Sequence, residues 1–105
     1  MIEMNEKRYL EALEGEKPVL VEFQAPWCVY CRRIGPALQK LAQQSRDSLL
    51  VGQVNIDDHP ALANREQIEV IPTLVLYQGG EALGSIVAPE SRSRIEEFLE
   101  DYLES

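Results

Sequence analysis

Cys28 and Cys31 are the only two cysteines in the chain, and they lie three positions apart. They follow Val19-Leu20-Val21-Glu22-Phe23, an almost continuous apolar run that reads as a strand buried on both faces. Ala25-Pro26-Trp27 breaks the run, and a helix is predicted from about Cys28 to Ser45. A dithiol at such a strand–helix junction suits thiol–disulfide exchange. The helix N-terminus offers unpaired backbone donors and the positive end of the helix dipole, and both stabilise a thiolate at Cys28. Arg32 and Arg33 add to that positive field. Cys31 falls one turn further on the same side of the helix. Regular helix spacing puts its Cβ about 5–6 Å from that of Cys28, whereas a disulfide needs about 3.5–4.5 Å. The first turn must tighten to close the bond, so the disulfide is one that forms and also opens. Cys28, exposed at the tip, is the expected nucleophile. Cys31, more buried and mostly protonated, is the expected resolving thiol and needs a base.

Glu22 is the candidate base and proton shuttle. It is the only charged residue in an otherwise apolar strand. Burying a carboxylate is costly and raises its pKa, and an acid held in a core beside a thiol pair can carry its proton. The competing reading places Glu22 at a wet sheet edge or opposite a lysine. Trp27, next to Cys28, is a candidate substrate contact.

The elements that position these groups follow from apolar spacing and turn residues. Asn5 caps a first helix running to about Glu14, with Tyr9, Leu10 and Leu13 as its stripe. Ile2 and Met4 suggest a very short edge strand before it. Ile34, Leu38, Leu41 and Ala42 form one face of the helix after the cysteines, and Pro36 inside it predicts a kink. Leu49 to Asn55 is a strand, and Pro60 opens a short helix. Thr73–Tyr77 and Ala82–Val87 make an antiparallel hairpin about Gly79-Gly80. The last helix starts at Ser91 or Ser93, with Ser93 and Glu96 as a possible capping box and Ile95, Phe98, Leu99, Tyr102 and Leu103 as its apolar face. The expected fold class is α/β: a mixed central sheet, a parallel β-α-β unit plus an antiparallel hairpin, flanked by helices on both faces.

Composition narrows the function classes. With 105 residues, no repeat and no linker, the chain is expected to be one domain, residues 1–105. Eighteen acidic against ten basic residues give a net charge of −8, the wrong sign for nucleic acid or an anionic membrane surface. No apolar run approaches the ~20 residues of a membrane helix. The N-terminus lacks the basic-then-apolar pattern of a signal peptide, which makes a cytoplasmic home the default. Structural zinc takes four ligands. The chain offers two thiols and His59 on another element, so no metal is expected.

Taken together, these segments resemble the thioredoxin family over nearly the whole chain. The matching pieces are Val-Leu-Val-Glu-Phe, Ala-Pro-Trp-Cys, Ile34-Gly35-Pro36, Val54-Asn55-Ile56-Asp57, Ile71-Pro72-Thr73 and Tyr77-Gln78-Gly79-Gly80-Glu81. The resemblance implies the thioredoxin fold and a cis bond before Pro72. It also implies that the Ile71 backbone pairs with a substrate strand beside Cys28, with Trp27, Tyr30 and the Val87-Ala88 loop completing the groove. It implies cycling between dithiol and disulfide with disulfide-containing proteins as substrates. A flavin- and NADPH-dependent reductase is the implied recycler, no cofactor is bound, and the chain is expected to be a monomer. Four departures stand out. Val29-Tyr30 replaces the usual glycine-proline between the cysteines. Glu22 replaces an aspartate. Gln53 stands where a lysine is common near the buried acid, so that acid should ionise less readily. Gln24 and Ala88 replace a tryptophan and a glycine. Because the residue pair between the cysteines tunes the redox potential, disulfide oxidation or isomerisation is an alternative direction. A non-catalytic interaction module is the alternative of another class.

Overall fold

The computed structural model describes residues 1–103. Strand β2 (Val19–Gln24) is central and buried, as its unbroken apolar run requires. It pairs in parallel with β3 (Leu50–Asn55) and antiparallel with β4 (Thr73–Gln78). The edges are β1 (Ile2–Glu3), parallel to β3, and β5 (Glu81–Val87), antiparallel to β4, so the order is β1-β3-β2-β4-β5. The expected mixed sheet is the observed one. Gly79 and Gly80, at φ +64° and +82°, make the two-residue turn of the hairpin, a conformation that residues with a Cβ adopt at a cost.

Helices cover both faces. Helix α2 (Val29–Ser45) and α4 (Arg92–Leu103) pack Ile34, Leu38, Ile95 and Phe98 on Leu20, Val51, Leu74 and Leu76. Helix α1 (Glu6–Glu14) and α3 (Pro60–Arg65) cover the other face, where Tyr9 and Leu62 meet Val19, Val21, Phe23, Val75 and Tyr77. The alternation along β2 thus feeds two cores, with even-numbered side chains facing α2 and odd-numbered ones facing α1.

Three local expectations are corrected. Ser91, not Ser93, caps α4, its Oγ accepting the Arg94 N–H at 3.2 Å, and the Ser93–Glu96 box does not form. Leu10 is exposed, because the side of α1 that meets the core carries Tyr9, Ala12 and Leu13. Tyr102 is also exposed, flanking Phe98 edge-on with ring centres 5.2 Å apart.

The α1 side contains a buried polar chain. Tyr9 and Tyr77, each almost fully buried, cross edge to face at 5.7 Å. The Tyr9 hydroxyl donates to that of Tyr77 at 3.0 Å, and Tyr77 donates to the Glu66 carboxylate. The two hydroxyls are therefore not equivalent. Tyr77→Phe removes a charge-assisted bond and strands the Tyr9 hydroxyl, for an expected loss of about 2–3 kcal/mol, while Tyr9→Phe leaves the Tyr77–Glu66 bond intact and loses about 1 kcal/mol. Urea unfolding of the two variants checks this order; equal losses would contradict it.

Candidate active site

The dithiol sits where β2 ends and α2 begins. The Cys28 N–H donates to the Ala25 carbonyl at 3.1 Å, closing the turn through Pro26 and Trp27. Cys28 is then the N-cap of α2, with extended backbone and with Sγ accepting the Cys31 N–H at 3.2 Å. That is the position in which Asp, Ser or Asn oxygens satisfy a free donor of the first turn. Sulfur is a weak acceptor when neutral, and the bond strengthens as the sulfur takes on negative charge.

Both cysteines are free thiols. The expectation of an exposed Cys28 is corrected: it is recessed, 8% exposed against 4% for Cys31. The cause is local packing. Ala25, Cys28 and Cys31 form a small apolar cluster against Tyr30, Ile56 and Ile71. Trp27 and Val29, each 64% exposed, stand on either side of the nucleophile's position in the chain. Cys31 has its pKa raised, mainly by burial and next by its hydrogen bond with Cys28. This matches the expectation of a protonated second thiol.

Glu22 is buried, 1% exposed, and its Oε2 has no hydrogen-bond partner among the described residues. The wet-edge and lysine-paired readings are therefore replaced by a carboxyl buried on the central strand, with Oε2 unpartnered and no lysine bonded to it among the described residues. Burial first, and repulsion from Glu3 second, push it up to about 7. Glu22 and Cys31 line one cleft of about 360 Å³, together with Arg32, Gly35, Pro36 and Gln53.

The groove residues come together beside the thiols. The Ile71–Pro72 bond is cis, and Ile71 packs on the cysteine cluster. The Ala88 N–H donates to the Pro72 carbonyl at 2.8 Å, which brings the Val87-Ala88 loop alongside. Ala88 holds φ +44°, a conformation suited to glycine. Val87 is exposed. Tyr30 is half-buried, and its hydroxyl donates to the Pro89 carbonyl at 3.3 Å, tying the first turn of α2 to the same loop.

Sequence reasoning did not single out Asp57. Its carboxylate accepts the Trp27 Nε1–H at 2.9 Å, while its own N–H donates to the Asn55 side chain at 2.9 Å. The signal was an Asn-x-Asp turn directly after a strand. His59 is the N-cap residue of α3 but makes no side-chain cap bond. Among the described residues no three His, Cys, Asp or Glu side chains gather as metal ligands.

A thiol pair on a helix tip beside a cis-proline is a specific arrangement, and known proteins share this chain's fold and sequence pattern. The family model for thioredoxin matches residues 1–101. The chain belongs to the thioredoxin family. It is 33% identical over 101 residues to a thioredoxin of Alicyclobacillus acidocaldarius subsp. acidocaldarius, covering 96% of each chain. A bifunctional thioredoxin reductase/thioredoxin of Mycobacterium leprae is 34% identical over 93 residues, 89% of this chain and 20% of that one. A mutant thioredoxin from Halobacterium salinarum NRC-1 superposes with a TM-score of 0.89 at 26% identity, over 99% of this chain and 91% of its own. The chain is a thiol–disulfide oxidoreductase with protein-disulfide reductase activity.

The buried acid has a consequence for stability. Glu22 titrates at about 7 in the folded thioredoxin domain against 4.5 as its ordinary value. Between those two values the folded chain keeps a proton that the unfolded chain has lost, so stability falls as pH rises through the window. Urea unfolding at roughly pH 5 and pH 8 should show a loss of about 2–3 kcal/mol that is absent in Glu22→Gln. An equal pH dependence in the two proteins would contradict the buried ionisation.

Proposed function

We propose that Cys28 is the attacking sulfur of this reductase, Cys31 its resolving thiol and Glu22 the group that takes the proton of Cys31. The observation that carries the reading is the Cys31 N–H bond to the Cys28 sulfur at the N-terminus of α2. A thiolate at Cys28 gains that bond and the positive end of the helix dipole. It attacks one sulfur of a substrate disulfide, expels the other as a thiolate and leaves a mixed disulfide. Cys31, kept protonated by its burial, loses its proton to the Glu22 carboxylate in the shared cleft. The Cys31 thiolate then attacks Cys28 Sγ, the bond from Cys28 to the substrate breaks, and the second substrate thiolate departs. The chain is left with a Cys28–Cys31 disulfide, so two electrons have passed to the substrate.

The substrates are disulfide-containing proteins, bound along Trp27, Tyr30, Ile71, Pro72, Val87 and Ala88. Exposure of Trp27 and Val87 on either side of the recessed cysteines supports this groove. Recharging requires a dithiol or hydride donor, and a flavin- and NADPH-dependent reductase is the proposed one; a relative that joins a thioredoxin reductase to a thioredoxin in one chain supports that pairing. A cytoplasmic setting fits a chain whose only two cysteines are spent on exchange rather than on staples.

Reduction of insulin, followed by turbidity, should proceed with the wild type and fail with Cys28→Ser. Cys31→Ser should accumulate mixed disulfides that a lysate pull-down recovers and dithiothreitol releases. Retained activity in Cys28→Ser, or trapping by Cys28→Ser instead of Cys31→Ser, would overturn the assignment of roles.

A further inference from the structure

Glu22 belongs to a polar row whose other two members the reaction as described above does not use. In register across three neighbouring strands stand Glu3 on β1, Gln53 on β3 and Glu22 on β2. Paired residues of a sheet share a face, and this face is the α2 face, since Leu20 and Val51, two residues before Glu22 and Gln53, pack on α2. The Gln53 side-chain amide donates to the Glu3 carboxylate. Only the NH2 end of an amide can meet a carboxylate, so the group best placed to solvate Glu22 from β3 is turned toward Glu3 instead. Glu22 Oε2 is correspondingly left without a partner. The ends of the row differ in exposure: Glu3 is on the surface, Gln53 half-buried and Glu22 buried.

We propose that Glu3, acting through Gln53, is a positioning residue that sets the pH at which Glu22 accepts the proton of Cys31. The proposal rests on the role given above to Glu22. Two effects act in one direction. The Glu3 charge, two strand spacings or about 9–10 Å away, opposes a second negative charge on Glu22. Its hold on Gln53 also denies Glu22 a donor that would favour ionisation. Other groups face Glu22 as well. Arg32 and Cys31 reach the cleft from α2, and Met1, whose amino group donates to Gln39 at 3.2 Å, lines it from just before β1. Arg32 favours ionisation and a Cys31 thiolate opposes it. Glu3 is the acid whose repulsion adds to burial in holding Glu22 protonated near neutrality. The resolving step then slows as pH falls below that point. Edge strand β1, separated from β2 by β3, thereby governs the second half of the exchange.

Carbon NMR of the Glu22 carboxyl and rapid-mixing kinetics test this together. With reduced protein and excess dithiobisnitrobenzoate, the first release of thionitrobenzoate reports attack by Cys28 and the second reports resolution by Cys31. Glu3→Gln should lower the Glu22 midpoint by about 0.3–1 pH, the range spanned by surface and partly buried charge pairs at this distance. The pH profile of the second release should move down with it, giving roughly a two- to several-fold faster step near pH 6. Gln53→Lys should move both in the same direction and further, and serves if Glu3→Gln disturbs β1. A Glu22 midpoint unmoved in both variants overturns the proposal. A midpoint that moves while the second release stays put in these variants and in Glu22→Gln overturns it too, and places the failure in the role of Glu22 rather than in the Glu3–Gln53–Glu22 row.

Discussion

A sulfur atom caps a helix in this molecule, and the rest of the site depends on that bond. An N-cap must supply an acceptor to a first-turn N–H, and oxygen usually does so. Here Cys28 Sγ accepts from Cys31 at 3.2 Å. The bond has two results at once. It orients the first sulfur toward the backbone of the second cysteine, so the dithiol is held as a pair before any substrate arrives. It also rewards negative charge on Cys28 Sγ, the sulfur proposed to attack. Trp27 and Val29 project outward on either side while the cysteines stay recessed. Alongside the recessed pair lies the loop tied by Ala88 to Pro72 and by Tyr30 to Pro89.

Glu22 is the second constraint, and it works against stability. A carboxyl at the centre of the sheet without a partner for Oε2 is costly to ionise. A hydrophobic residue there would pack with Leu20 and Leu74 at no such cost. What the carboxyl offers is a proton acceptor in the same cleft as a thiol that burial keeps protonated. Burial disfavours the charged form of both groups, and a carboxylate raised in this way is a stronger base toward the Cys31 proton than one in water. The balance is tuned from outside the core, by an acid on the edge strand and an amide between.

Much of this was legible in the sequence because it rests on local rules. The continuous run at Val19–Phe23 could only be a doubly covered strand, and it is the central one. Gly79-Gly80 specified a hairpin, and Asn5 specified a cap. The dithiol spacing and Glu22 marked the site by their own chemistry, whereas Ile71-Pro72 entered only through the family resemblance. What escaped depends on contacts far apart in the chain. Whether Cys28 is exposed is decided by Ile56 and Ile71, which arrive from other loops. Asp57 gains its role only because the turn after β3 lies beside Trp27. The Glu3–Gln53–Glu22 row exists only once parallel register is set between strands whose paired residues, such as Glu3 and Gln53, are 50 positions apart. The choice of Ser91 over Ser93 as a cap turns on a small difference of phase, which periodicity does not resolve.

The asymmetry between the two sulfurs is the centre of the account, and alkylation measures it directly. Reduced protein treated with limiting iodoacetamide at neutral pH, quenched over time and mapped by fragment-ion mass spectrometry, gives a separate rate for each cysteine. Cys28 should react at least about tenfold faster than Cys31, because the thiolate is the nucleophile and burial keeps Cys31 protonated. Equal rates, or faster modification of Cys31, would contradict the division of labour on which the mechanism stands.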